Sequence, residues 1–103
     1  MALRNVVQFD QQTGITGTSD TFAVNPEQEI AAALVLTSGS PTTGAVLEIS
    51  LDDADKVAAG TASWIASPMG YRTTTGAEKV LRPVTGLRLA VTDGTWTLQV
   101  RQA

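Results

Sequence analysis

Two segments of alternating apolar and polar residues near the end of the chain, separated by Asp93-Gly94, constrain the fold most strongly. After this dipeptide every second residue is apolar: Trp96, Leu98 and Val100. That period is typical of a half-buried antiparallel strand. Asp-Gly also tolerates the positive φ angles that a two-residue hairpin loop requires. We therefore predict that strands at 87–91 and 95–101 pair directly as a β-hairpin.

Turn-forming residues recur at short intervals along the whole chain. Glycine and proline interrupt it at places such as Asn25-Pro26, Ser67-Pro68-Met69-Gly70 and Thr75-Gly76. This spacing favours many short strands over alternating strand and helix units. The sequence therefore predicts an all-β fold, a jelly-roll-like or related antiparallel β-sandwich. The expected strands are 3–9, 20–24, 30–36, 45–51, 63–66, 71–74, 78–82, 87–91 and 95–101.

Two segments also carry helical signals. Residues 53–59 begin with acidic side chains and are followed by Gly60, which predicts a short helix that ends at the glycine. Asn25-Pro26 offers an N-cap residue and a first-turn proline for a second helix. The residues 30–36, however, end in β-favouring side chains and are apolar on both faces, as in a central strand. We favour a strand there.

The residue types that are absent limit the chemistry. The chain has 103 residues, which suits one domain over 1–103, and it contains neither cysteine nor histidine. This excludes thiol catalysis, disulfides, and zinc sites built from thiolate or imidazole. No serine lies in a recognisable nucleophile motif with an activating base. We expect the protein to be neither an enzyme nor dependent on a cofactor.

Charge and hydropathy limit the partners. The formal net charge is -3 and the 7 basic residues are scattered along the chain, which argues against nucleic-acid binding. The longest uncharged stretch, 30–47, is interrupted by a run rich in Ser, Thr, Gly and Pro, so it cannot span a bilayer as a helix. The first residues lack the apolar run of a secretory signal. We expect a soluble protein made in the cytoplasm, with no membrane partner.

Two sets of side chains invite ligand-binding interpretations that compete with structural ones. The carboxylates of Asp52, Asp53 and Asp55 suit calcium, but their spacing lacks the glycine and the glutamate of an EF-hand loop. A solvated turn with helix-capping carboxylates is the favoured interpretation. Trp64 and Trp96 have rings that stack on sugars or bases, yet core packing is favoured for both because each lies beside apolar strand residues.

The order of several segments resembles a known class of protein. A strand reading Leu-Glu-Ile-Ser-Leu-Asp at 47–52 precedes Trp64, Arg-Pro-Val-Thr-Gly-Leu-Arg-Leu covers 82–89, and Gly-Thr-Trp-Thr-Leu-Gln-Val follows at 94–100. Over residues 30–102 this order resembles the small β-sandwich structural proteins of tailed-bacteriophage virions. This chain has an additional segment, 53–60, between the first of these strands and Trp64.

The resemblance implies a virion structural protein, and within that class a capsid decoration or cement protein. Such a protein binds the major capsid protein on the outer surface of the head and stabilises capsomer junctions by non-covalent contacts. A homo-oligomer, with a trimer favoured, agrees with a short chain whose core side chains are small. The alternative is a tail, baseplate or fibre-associated module, bound to a tail protein, in which Trp64 or Tyr71 binds a glycan.

The expected contact residues come from both ends of the chain. Residues 1–12 form either an N-terminal arm that adds a strand to a neighbour or an ordinary first strand of the sandwich. Arginines of consecutive predicted strands are expected to line one outer sheet face together with Glu48 or Asp93. That face is either solvated or binds an acidic partner. The predicted interface residues are Leu3, Arg4, Val6, Val7, Phe9, Arg82, Arg88 and Arg101.

Overall fold

The computed structural model describes residues 2–80 and 83–102, which fold into two packed β-sheets. The nine strands and one helix are β1 Leu3–Asn5, β2 Phe9–Ile15, β3 Thr21–Ala23, β4 Ile30–Ser38, β5 Ala45–Ser50, α1 Ala54–Ala59, β6 Ile65–Arg72, β7 Gly76–Val80, β8 Gly86–Val91 and β9 Thr95–Gln102. One sheet has five strands in the order β1-β3-β8-β5-β6, and the other has four in the order β2-β9-β4-β7. The predicted all-β sandwich is confirmed.

The strand pairing follows the jelly-roll pattern. Strands β2, β3, β4 and β5 pair antiparallel with β9, β8, β7 and β6 respectively. This is one long antiparallel ribbon of eight strands, wrapped so that its pairs alternate between the two sheets. Strand β1 is added at the edge of the five-stranded sheet, where it runs parallel to β3.

The predicted hairpin at Asp93-Gly94 is wrong, because β8 and β9 lie in different sheets. A two-residue type I′ loop needs positive φ at both central residues, but only Gly94 has it, at 83°. The Asp93 carboxylate instead accepts hydrogen bonds from the backbone N–H groups of Thr42 and Gly44. The turn therefore crosses from one sheet to the other and is fastened to the neighbouring β4–β5 crossing.

The core lies between the inner faces of the two sheets. The predicted buried face of β9 is confirmed, since Trp96, Leu98 and Val100 are fully buried. Other fully buried side chains include Ile30 and Leu34 from β4, with Phe22, Leu47, Leu87 and Leu89 from the opposite sheet. Burying each of these large apolar side chains contributes about 1.5–3 kcal/mol. The strand predicted at 30–36 is also confirmed, because β4 lies inside the four-stranded sheet between β9 and β7.

One predicted turn is wrong because it falls on an edge strand. The strands expected at 63–66 and 71–74 are a single strand, β6, which contains Pro68 and Gly70. Proline is tolerated at a sheet edge because its missing N–H removes no ladder hydrogen bond there. Gly70 has φ of 68°, and the pairing register with β5 shifts at this point. Pro68 and Gly70 therefore lie in an irregular, bulged part of a continuous strand and do not form a turn.

The first dozen residues also differ from the prediction. The strand expected at 3–9 is divided, because the chain passes from one sheet to the other after β1. At this crossing Val6 is buried in the core and its N–H donates to the carbonyl of Ala23. Within this chain, the described part of 1–12 contributes β1 and the start of β2 to the sandwich. Deleting residues 1–10 is expected to destabilise the fold.

The predicted short helix is confirmed as α1, which ends at Gly60 in the left-handed conformation. Its buried residue, Val57, packs on the outer side of the five-stranded sheet at Gly86. A methyl group added to Gly86 would lie 3.0 Å from Val57 Cγ1 and 3.1 Å from Trp64 Cη2. The helix and Trp64 therefore cover part of the outer face of this sheet. Core packing is confirmed for Trp96 but is wrong for Trp64, which is only partly buried there.

Candidate interaction surface

Two predicted interface residues meet on the outer face of the four-stranded sheet. Phe9 and Arg101 are directly opposite each other in the pairing of β2 with β9. The guanidinium carbon of Arg101 lies 4.8 Å from the centroid of the Phe9 ring, which is a cation–π arrangement. Phe9 is 43% exposed, and Arg101 is also exposed. The pair therefore presents an aromatic ring and a positive charge to solvent.

The same cross-strand row continues over the other two strands. Ala31 on β4 is opposite Arg101 on one side and Lys79 on the other. Because adjacent strands are about 4.8 Å apart, the backbones of the two basic residues lie about 10 Å apart. Only the methyl group of Ala31 rises between them.

A second row of small and polar residues lies beside the first. Ala33 on β4 is opposite Ala77 on β7 and Gln99 on β9. The Gln99 amide donates to Gln11 Oε1 at 3.2 Å. Two adjoining depressions, which share Ala31 and Arg101, follow these rows. We call this surface the alanine groove, with a floor of Ala31, Ala33 and Ala77 and rims formed by Phe9, Gln99, Arg101, Lys79 and Glu29.

Of the two positive charges at the rims, Lys79 has an acidic partner and Arg101 has none among the described residues. Lys79 Nζ lies 3.2 Å from Glu29 Oε1, with both side chains more than 60% exposed. A pair this exposed contributes about 0–1 kcal/mol. Arg101 makes no hydrogen bond or ion pair with any residue that the structure describes, and its only partner there is the Phe9 ring. The groove thus carries an available positive charge.

Arg88 belongs to the opposite surface of the molecule. Its Nε donates to Glu48 Oε1 at 2.7 Å, and its guanidinium carbon lies 4.5 Å from the centroid of the Trp64 ring. The expectation that Arg88 and Arg101 line one sheet face is wrong, because β8 and β9 are in different sheets. The pairing of Arg88 with Glu48 is confirmed, whereas Asp93 is bound to the loop at 42–44.

The remaining predicted interface residues are dispersed. Arg4 joins the two sheets at one side of the sandwich, with Nε 2.9 Å from Asp20 Oδ2 and Nη1 3.3 Å from Asp10 Oδ1. Val6 is in the core, Leu3 is exposed on the edge strand β1, and Val7 is 80% exposed at the crossing between the sheets. Arg82 lies outside the described residues.

In the acidic cluster at 52–55, the Asp52 carboxylate has a structural partner. Asp52 Oδ2 accepts the backbone N–H of Ser63, which closes the loop that contains α1. Asp53 occupies the N-cap position without a side-chain capping bond, so the expected helix-capping contact of this residue is wrong, and Asp55 is exposed in the first turn. Within residues 2–80 and 83–102, no group of three potential ligands is arranged to hold a metal ion.

The pKa of the Asp93 carboxyl group is lowered by its hydrogen-bond partners. The backbone N–H groups of Thr42, Gly44 and Thr43 hold the pKa of Asp93 below its usual value of 3.8, because they stabilise the charged form. The hydroxyl group of Thr42 adds a further contact, at 3.2 Å from Asp93 Oδ2. All four donors come from the chain itself, so this carboxylate fastens a corner of the fold.

The sequence signal for the groove was present but incomplete. Residues 30–36 were expected to form a strand that is apolar on both faces, and Ala31 and Ala33 are its outward residues. What the sequence did not supply was the register that places Lys79 and Arg101 beside Ala31. That register depends on strands far apart in the chain.

Comparison of the chain with protein-family models and with curated proteins finds no match to either. In the described part of the chain, no helix has the length and apolar character needed to cross a membrane.

Proposed function

We propose that the protein is a structural component of a phage virion, a capsid decoration or cement protein that binds the outer surface of the head. The observation that carries the proposal is the alanine groove, a sheet face that no described element of the chain covers. Phe9 and Arg101 stand exposed at its rim. The resemblance of residues 30–102 to virion β-sandwich proteins supports it, and so does the jelly-roll fold, which recurs in viral capsid domains.

The proposed mechanism is stabilisation by added contact. A protein that binds only assembled capsomers shifts the equilibrium toward the intact shell, by an amount that grows with its concentration relative to its Kd. Aromatic and arginine side chains are enriched among the residues that dominate such interfaces. The Phe9–Arg101 pair has this composition and is already held in place by its ring contact. We further propose a homo-oligomer, with a trimer favoured.

The second candidate is a tail, baseplate or fibre-associated module with a glycan site. Tyr71 favours it, because this ring is 59% exposed on the edge strand β6. Trp64 supports it less, since Arg88 stacks over its ring and Gly86 lies beneath part of it. Binding to a glycan array that is lost in Tyr71→Ala would favour this candidate.

Co-sedimentation with shells assembled from the major capsid protein of the same genome tests the first proposal. We expect saturable binding by the wild-type protein and clear weakening in Phe9→Ala. Leu51→Ala is the matched control, because Leu51 is 63% exposed and lies outside the groove. Absence of binding by the wild-type protein, or equal weakening in both variants, would contradict the proposal. Light scattering after size-exclusion chromatography tests the trimer.

A further inference from the structure

We propose that the alanine groove binds an acidic segment of its partner, with one carboxylate held between Arg101 and Lys79 above Ala31. The acidic character of the partner follows from the groove itself. Only the assignment of that partner to a capsid rests on the function proposed above. It applies equally to a tail protein. Its basis is the charge and shape of the groove.

The other described arginines already have polar partners. Arg4 and Arg88 have carboxylate partners, and Arg72 donates to the backbone carbonyls of Thr74 and Thr75. Arg101 is the described arginine whose five N–H donors have no partner, and its guanidinium is positioned by the Phe9 ring. A guanidinium in this state has its bidentate geometry available for an incoming carboxylate.

The side chains on the floor of the groove are smaller than those on its rims. Ala31, Ala33 and Ala77 project only methyl groups, whereas the rims carry Phe9, Gln99, Arg101 and Lys79. An extended chain that approaches this face can therefore place larger apolar side chains over the alanines. The carboxylate then lies between Arg101 and Lys79, whose backbones are about 10 Å apart across Ala31, within reach of both long side chains.

An acidic protein segment fits this surface better than a nucleic acid. The outward positions of the four strands, as far as they are described, carry two positive charges, and the whole chain has a net charge of -3. Nucleic-acid affinity requires more phosphate contacts than two cations supply. A polypeptide with one well-placed carboxylate and apolar neighbours matches both the charge and the floor.

Glu29 provides a way to test the charge directly. Its carboxylate pairs with Lys79 at 3.2 Å and borders the same depression, so it competes with an incoming carboxylate. Glu29→Gln is therefore expected to strengthen binding of an acidic segment, whereas Arg101→Gln weakens it. A variant that binds more tightly cannot be explained by loss of folding.

The probe is a fluorescein-labelled peptide of alternating leucine and glutamate, compared by fluorescence anisotropy with the leucine–glutamine peptide and a single-stranded oligonucleotide. We expect the acidic peptide to bind and the other two to bind at least about fivefold more weakly. Amide NMR shifts are expected at Ala31, Ala33 and Ala77. Equal binding of all three probes, preference for the oligonucleotide, shifts elsewhere, or no saturable binding would overturn the inference.

The variants complete the experiment. We expect about fivefold weaker binding in Arg101→Gln, tighter binding in Glu29→Gln, and no change in Lys56→Gln, whose exposed cation lies on α1. Thermal melting confirms that each variant folds. On assembled shells, wild-type binding that is unchanged in Arg101→Gln would refute this inference alone, whereas no wild-type binding with an intact peptide response would refute the capsid proposal alone.

Discussion

Gly44→Ala is expected to destabilise the corner where the β4–β5 crossing meets the β8–β9 crossing. Gly44 has φ of 82°, and a methyl group added there would lie 1.8 Å from the carbonyl oxygen of Arg72. Left-handed backbone costs a non-glycine residue about 1–2 kcal/mol. Relieving an overpacked contact of this kind typically adds about 1–3 kcal/mol. The expected loss of unfolding free energy is therefore about 2–5 kcal/mol, a large share of the total for a single domain.

The matched control separates the two terms. Gly60→Ala replaces a residue with φ of 77°, but an added methyl group meets nothing within 4 Å. It should therefore cost only the backbone term, about 1–2 kcal/mol. The two losses are measured by urea unfolding monitored through tryptophan fluorescence, because Trp96 lies at the same corner with its Nε1–H donated to the carbonyl of Asp93. Equal losses in the two variants would refute the close approach of Gly44 to Arg72.

Two further predictions concern buried polar groups and pH. Ser67 Oγ is buried without a hydrogen-bond partner in the described structure, so Ser67→Ala should leave the free energy of unfolding unchanged or raise it. Ser19→Ala should lower it by about 1–3 kcal/mol, because Ser19 Oγ accepts the N–H of Leu89. Both variants are compared by their urea midpoints, and a larger loss for Ser67→Ala than for Ser19→Ala would contradict these expectations. The lowered pKa of Asp93 stabilises the folded state above pH 3.8, and this contribution is lost as the pH falls through the lower folded-state pKa. Over that pH range, Asp93→Asn should therefore lose less stability than the wild type during acid titration. Identical titration curves would contradict the lowered pKa of Asp93.

Local signals were sufficient for several elements. The alternation around Trp96 and Leu98 defines a buried face by itself, and the acidic start and Gly60 stop of α1 lie within one short segment. The segment that forms β4 ends in β-favouring side chains, which outweigh the helical start at Asn25-Pro26. In each case the determining residues are close together in the sequence.

The errors arise where a distant partner decides the structure. The dipeptide Asp93-Gly94 favours a hairpin, but the chain crosses between the sheets there. The Asp93 side chain accepts hydrogen bonds from backbone N–H groups at 42–44, which are remote in sequence. Pro68 predicts a turn from the local sequence, but it lies in β6, an edge strand that tolerates proline. The alanine groove likewise depends on the registers that place Lys79 and Arg101 on either side of Ala31.

The outer face of the four-stranded sheet is proposed to contact a larger assembly. Cryo-electron microscopy of shells assembled from the major capsid protein, saturated with this protein, tests it most directly. We expect density for the sandwich on the shell exterior, oriented with the strands β2, β9, β4 and β7 toward the capsid and Arg101 beside a carboxylate. Density with the five-stranded sheet toward the shell, or no added density at saturating protein, would contradict the claim.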